Sequence, residues 1–159
     1  MKYISCTQDS FIRTVTLEEL GCEYFIINST KHLNKHLDSI EKLINDFNSY
    51  ISWDEMFTIS DVKDRIKNGE VIIIAYYNSS PVGYVFTNKG WISNLFVSKL
   101  TNRPPKTFLS LSNKVIEYSI EKYNAAAWEA EDWNKPMFYV SKESGCKRVR
   151  KSLKSNLVI

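Results

Sequence analysis

The chain has 159 residues, of which 43% are hydrophobic and 25% charged, with a formal net charge of +3. Such a length and mix suit one folded domain over residues 1–159 and exclude a disordered polymer. The charge is too small for a nucleic-acid footprint, no apolar run reaches membrane-spanning length, and MKYISCTQDS lacks a signal-peptide core.

The three cysteines, Cys6, Cys22 and Cys146, have no metal-type spacing. They point to free thiols in a reducing, cytoplasmic setting.

Residues 1–21 are the hardest to place. KYISC and FIRTVT have strand composition, with QDS as a turn between them. Thr16 and Glu19 form a capping-box pattern before LEEL. EYFIINS is a stronger strand candidate and runs into Ser29 and Thr30, both good helix caps. Leu33, Leu37, Ile40, Ile44 and Phe47 then recur at helical spacing, which predicts one amphipathic helix over 31–48. Ser60 as a cap and the pair Val62 and Ile66 predict a shorter helix over 60–68, stopped at Asn68-Gly69.

VIIIAYY, within 70–77, is a continuous apolar run of the kind that forms a strand buried on both faces. NSSP turns the chain into a partner strand over 82–86, and Asn88-Lys89-Gly90 turns it again into a third over 91–97. Arg103-Pro104-Pro105 breaks the chain before a long helix opening at Thr107. Its apolar stripe, built on Phe108, Leu111 and Val115 and widened by Leu109, Ile116 and Ile120, implies packing onto a sheet. A strand over 125–132, a helix over 135–144 and one or two short strands within 146–159 complete the chain. The order is strand, helix, helix, three-strand meander, helix, strand, helix, strand. The long helix between meander and next strand forces a parallel crossover, so the fold class is α/β (α+β) with a mixed central sheet.

The stretch NKPMFYVSKESGC, preceded by AAAWEAED, puts an Asn just after a strand and a Gly just after a helix. This layout resembles the last third of the GNAT acyltransferase fold, and the element order extends the resemblance across roughly residues 22–150. In that family acetyl-CoA lies where the fourth and fifth strands splay apart. Its pyrophosphate sits on the N-terminus of the following helix, where unpaired N–H groups and the helix dipole meet an anion. The resemblance implies cofactor contacts from Phe96 and Val97 on the fourth strand, whose backbone pairs with the pantetheine amides. It implies further contacts from Arg103, Lys106, Thr107 and Phe108 at the helix start, and from Asn134 after the fifth strand. The family's glycine-rich loop corresponds here to Asn102-Arg103-Pro104-Pro105-Lys106-Thr107. That loop holds no glycine, and its two prolines lack N–H groups, so charge from Arg103 and Lys106 has to compensate.

The position of the family's general-acid Tyr is Ser141, and the aromatic after the closing Gly is Cys146. A serine hydroxyl is a weak proton donor near neutral pH, so Ser141 is a weak stand-in at best, and Tyr139 is two helical residues out of place. Glu129, with Glu131 on the same strand face, is the carboxylate that can act as general base. Solvated edge charges are the commoner use of such residues. Asn134 serves equally as a cofactor contact and as a helix cap. Trp91, Ser93 and Asn94 can line the cleft, with core packing the default for Trp91. His32 and His36 have the i, i+4 spacing of a ligand pair but lack a third ligand, so no metal site follows. The basic residues Lys142, Lys147, Arg148, Arg150, Lys151 and Lys154 read as a solvated face. Cys146, with no His near it in sequence, reads as a small buried hydrophobe.

Within the same group, the run KTFLSLSNKVIEYSIEKYNAAAWEAEDWNKPMFYVSKESGCKRV is similar to acetyltransferase-like proteins of short-tailed phages, some of them internal virion proteins. Two functions follow from the resemblance. One is an N-acetyltransferase that transfers an acetyl group from acetyl-CoA to a small-molecule or protein amine. The other is a non-catalytic GNAT-derived protein that assembles with phage virion proteins.

Overall fold

The computed structural model describes residues 2–51 and 56–149. They form β1 (Lys2–Thr7), β2 (Glu23–Ile27), α1 (Thr30–Asn34), α2 (Leu37–Asn48), α3 (Ile59–Lys67), β3 (Val71–Tyr77), β4 (Ser80–Asn88), β5 (Trp91–Val97), α4 (Thr107–Tyr123), β6 (Ala125–Ala130), α5 (Lys135–Glu143) and β7 (Lys147–Val149). The strands make one seven-stranded sheet in the order β2-β3-β4-β5-β6-β1-β7. Only β5 and β6 run parallel, and α4 is the crossover between them. The mixed α/β sheet expected from the element order is the architecture found.

The meander forms as its turns dictate. Asn78 and Ser79 both have positive φ, as do Lys89 and Gly90. Two consecutive left-handed residues give a two-residue hairpin loop whose twist matches that of the strands. β3 is buried on both faces: Ile72 and Ile74 join one core, with α1, α2 and α3, while Ile73 and Ala75 join the other, under α4. The continuous apolar run reads correctly because both sides of this strand are covered.

The helices depart from expectation in detail. The single helix over 31–48 is broken at Lys35 and His36, whose amides bond to His32 and Leu33, three residues back, at 3.2 and 2.9 Å. The break coincides with an aromatic anchor: His36 Nδ1 lies 2.7 Å from the Tyr76 hydroxyl and its ring stacks 4.6 Å from that of Phe25. Burial, with the charges of His32 and Lys35 adding, holds the His36 pKa below its ordinary value. The next helix starts one residue earlier than expected and is capped by Thr58 instead of Ser60. Thr58 and Asp61 exchange both bonds of a capping box.

The largest difference lies at the N-terminus. KYISC does form a strand, but β1 sits deep in the sheet, antiparallel to both β6 and β7. FIRTVT is not a strand. Residues 8–22 instead strap the outer side of α4 on their way from β1 to β2 at the far edge of the sheet. Asn113 donates from Nδ2 to the Ile12 carbonyl and accepts from the Thr14 amide, and Ser110 donates to the Val15 carbonyl. The strap accounts for the buried Ser110 and Asn113 of α4, while the buried Ser119 pairs with Thr87 Oγ1 of β4 at 3.1 Å, since buried polar side chains persist where they find partners. At LEEL only a turn forms, with the Glu19 amide bonded to Thr16 Oγ1 as the capping pattern predicts.

α5 ends in a Schellman motif, with the Cys146 amide on the Ser141 carbonyl and the Gly145 amide on the Lys142 carbonyl. Gly145 takes φ +72°, and a side chain there would overlap the Ser10 carbonyl of the strap. Part of the C-terminal strand expectation, 150–159, lies outside the described residues.

Candidate functional site

β5 and β6 pair at one register position, Trp91 with Ala127, where the Ala127 amide bonds to the Gly90 carbonyl at 2.9 Å. Beyond it the strands separate. The cause is visible in β5: Ser93 pairs with Phe86 and Phe96 with Tyr84, so two residues, Asn94 and Leu95, face the single Val85. Asn94 absorbs the extra residue with φ +54°. This is a β-bulge, which bends the strand and leaves backbone groups unpaired. The insertion keeps Ile92 and Leu95, three apart, on the same core face, where an unbulged strand would put them on opposite faces.

The separation opens a notch of about 340 Å³ at the carboxyl ends of two parallel strands, the usual place for a ligand crevice in such sheets. Ser93, Asn94, Trp128, Glu129, Asn134 and Met137 are among its walls. Leu95, Phe108 and Pro136 line both this notch and a second cavity of about 640 Å³, so the two are adjacent and share a wall. The second cavity is walled by Phe47, Tyr50, Phe96 and Leu109, with Lys99, Arg103 and Lys106 bringing positive charge.

The loop between β5 and α4 is folded by its own hydrogen bonds. Ser98 donates to Asp46 Oδ2 at 2.6 Å and accepts from the Leu100 and Thr101 amides, and its carbonyl takes Arg103 Nε at 2.6 Å. Lys106, at φ +70°, turns the chain into α4. The first intrahelical bond runs from Ser110 to the Lys106 carbonyl, so the amides of Thr107, Phe108 and Leu109 belong to the open first turn. Thr107 is fully buried as a residue, and its hydroxyl bonds to the Pro104 carbonyl at 2.6 Å, so it presents no group at the cavity wall.

Of the residues singled out from sequence, Phe96, Val97, Arg103, Lys106 and Phe108 line the larger cavity, and Glu129 and Asn134 line the notch. Asn134 is also the cap of α5, its Oδ1 accepting from the Met137 amide at 3.3 Å. Glu129 is exposed and is the one ionisable side chain among the described residues lining the notch. Ser141 lies elsewhere. It is buried, donates to the Cys146 carbonyl at 3.2 Å and lines neither cavity. Cys146 faces Cys6, and this contact followed by burial raises its pKa, the opposite of a nucleophile's needs.

Sequence reasoning missed Phe47, Tyr50, Lys99 and Tyr139. For Tyr139 a signal existed: it stands three residues after Pro136, on the same helix face. The others reach the cavity through tertiary contacts that no local pattern encodes.

No protein-family model and no curated protein sequence matches the chain. Solved structures do. A Drosophila structural-genomics protein aligns over 93% of this chain with TM-score 0.67 at 10% identity. A PaiA N-acetyltransferase from Thermoplasma acidophilum, in complex with coenzyme A, aligns over 76% of this chain and 87% of its own, with TM-score 0.55 at 10% identity. The fold is that of the GNAT acetyltransferases. A third structure, AAC(6')-Iy in complex with the bisubstrate analogue CoA-S-monomethyl-acetylneamine, aligns over 82% of this chain and 96% of its own, with TM-score 0.55 at 14% identity. The chain spans about half of the Drosophila protein, 47% of its length. No helix among the described residues of this GNAT fold is long and apolar enough to cross a membrane.

Proposed function

We propose that the chain is an acetyl-CoA-dependent N-acyltransferase acting on an amine. The observation that carries this reading is that the notch between β5 and β6 adjoins an apolar cavity whose walls carry three cations, Lys99, Arg103 and Lys106, near the first turn of α4. A long, thin ligand with an anionic end fits such a path. The PaiA and AAC(6')-Iy neighbours, bound to coenzyme A and to a CoA-derived analogue, support the choice of ligand.

The residues present suit acetyl-CoA in a modified way. Pro104 and Pro105 remove two amide donors from the loop. Arg103 and Lys106 on the cavity wall offer charge-assisted bonds to phosphate in their place, beside Phe108 at the start of α4. The bulge at Asn94 leaves β5 backbone groups available to an extended ligand. Acetyl-CoA supplies an activated acyl group as a thioester.

The rest is done by the chain's own side chains. Glu129 accepts a proton from the incoming amine. Asn134 orients the ligand beside the strand end while capping α5. Ser141 is already committed to the Cys146 carbonyl, so it does not serve as general acid and the leaving thiolate is protonated by solvent. Positioning alone gives large accelerations, and loss of the acid lowers the rate by about 10²–10⁴-fold relative to a complete site.

The test is release of free thiol from acetyl-CoA in the presence of a panel of primary amines. One or more amines should stimulate it. Glu129→Gln should lower that rate about 10²–10³-fold with acetyl-CoA affinity unchanged. A Glu129→Gln protein as active as the parent would remove Glu129 from the mechanism.

The second reading, a non-catalytic protein on the same fold, is favoured by one observation: the two prolines where amide donors are needed. It predicts no binding of acetyl-CoA at all.

A further inference from the structure

Arg65 bonds through its guanidinium to three side chains outside its own helix, Glu70, Ser93 and Asn94. It stands in the last turn of α3 with its side chain 20% exposed. Nε and Nη2 reach Glu70 Oε1 at 3.1 and 2.8 Å. Nη1 donates to Asn94 Oδ1 and Nη2 to Ser93 Oγ, both at 2.7 Å. The guanidinium carbon lies 3.8 Å from the centre of the Phe86 ring, on the strand that pairs with β5. One planar group therefore ties α3, the start of β3, β4 and the bulge of β5 together.

The bulge is where such a tie matters. Asn94 is a non-glycine residue at φ +54°, a conformation that costs an L-residue about 1 kcal/mol or more unless its surroundings enforce it. Asn tolerates the left-handed region because its short side chain can bond locally. Here the Asn94 oxygen bonds instead to a cation fixed from a different element. Without that bond, Asn94 loses the contact from α3 that holds it, and β5 is left to relax toward a regular ladder against β4, which would straighten the strand and carry Leu95 off its core face.

From this geometry we infer that Arg65 is a positioning residue: by holding Ser93 and Asn94 it locks the bulge that keeps β5 apart from β6 and so keeps the notch open. The inference rests on the acyl-CoA reading for its functional consequence, while its structural part stands on the bulge alone. Lys cannot replace Arg here, since a single ammonium cannot reach Glu70, Ser93 and Asn94 in one plane.

The test compares the parent protein with Arg65→Gln, Arg65→Lys, and the double variant Arg65→Gln with Asn94→Gly, all checked for folding by circular dichroism. The first readout is amide hydrogen exchange over 91–97. Both single variants should lose roughly tenfold or more of their protection there, with the β1–β6 pair unchanged. Glycine adopts positive φ at no steric cost, so the double variant should regain protection. The second readout is acetyl-CoA affinity, which should fall in the single variants and recover in the double. Unchanged exchange in Arg65→Lys, or loss that Asn94→Gly does not restore, overturns the inference. If the parent itself fails to bind acetyl-CoA, the functional reading fails, and exchange still decides whether Arg65 locks the bulge. Should Arg65→Gln not fold, Arg65→Lys retains the charge facing Glu70 and carries the test.

Discussion

Gly145→Ala is expected to destabilise the protein by about 2–5 kcal/mol, the sum of a left-handed backbone cost and an overpacking cost. Gly145 combines two constraints that most helix-closing glycines meet singly. Its φ of +72° belongs to the Schellman motif that ends α5. An added Cβ would also meet the Ser10 carbonyl oxygen and come within 3.1 Å of Ile12 Cγ1. Neither neighbour gives way easily. Ser10 closes the turn after β1 through its bonds to Thr7, and the Ile12 amide is bonded to the Ser144 carbonyl at 2.9 Å. Relief requires lifting the strap off α4 and α5 together. Urea denaturation measures the effect, and the midpoint should fall with the slope unchanged. Gly145→Asn separates the two causes: Asn tolerates positive φ but carries the same Cβ, so it should cost less than Ala by the backbone share and keep the overpacking share of about 1–3 kcal/mol. A loss below about 1 kcal/mol for Ala would mean that the strap does not pack on α5 as described.

Arg103→Ala with Lys106→Ala should weaken acetyl-CoA binding by roughly 100-fold, about tenfold for each cation, as charge-assisted bonds to phosphate imply. The loop offers little else at this place. Pro104 and Pro105 have no N–H to give, and Thr107 has spent its hydroxyl on the Pro104 carbonyl. A site that replaces amide donors by side-chain cations should also be unusually salt-sensitive, since charge near the surface is screened within about 8 Å at physiological ionic strength. Two comparisons make the prediction specific. Affinity of the parent protein should fall steeply with added salt, and that slope should flatten in the double variant. Acetyl-pantetheine, which lacks the phosphates, should bind parent and variant alike. A double variant that binds acetyl-CoA as the parent does would place the phosphates elsewhere.

Much of the sheet is legible in the sequence because its signals are local. VIIIAYY declares a strand covered on both faces, and Asn78-Ser79 and Lys89-Gly90 specify two-residue turns. The apolar stripe of α4 then demands a sheet beneath it. What cannot be read is pairing over long distances. KYISC has strand composition, yet nothing local says that it inserts between the strands at 125–130 and 147–149, or that the residues after it strap α4. The buried Ser110 and Asn113 make sense only once that strap is in place. The break at His36 escapes for the same reason, since the periodicity of Leu33, Leu37, Ile40 and Ile44 survives it and its partner Tyr76 is on another element.

The site divides similarly. Asn134, Glu129, Arg103 and Lys106 follow from the order of strand ends and helix starts, and they lie along the cavity walls. Ser141 follows from spacing alone, and its side chain turns inward to close the helix end. The bulge at Asn94 leaves no mark in local composition, because Asn in a strand reads only as a weak residue. Its partner Arg65 lies 29 positions away.

The measurement that tests the central claim most directly is calorimetric titration of the purified protein with acetyl-CoA at low salt. The account predicts saturable one-to-one binding in the micromolar range that is weakened by Asn134→Ala and by loss of Arg103 and Lys106. Absence of heat and of any thermal stabilisation at millimolar acetyl-CoA would contradict it, and the GNAT fold would then be a scaffold kept for contacts with other proteins.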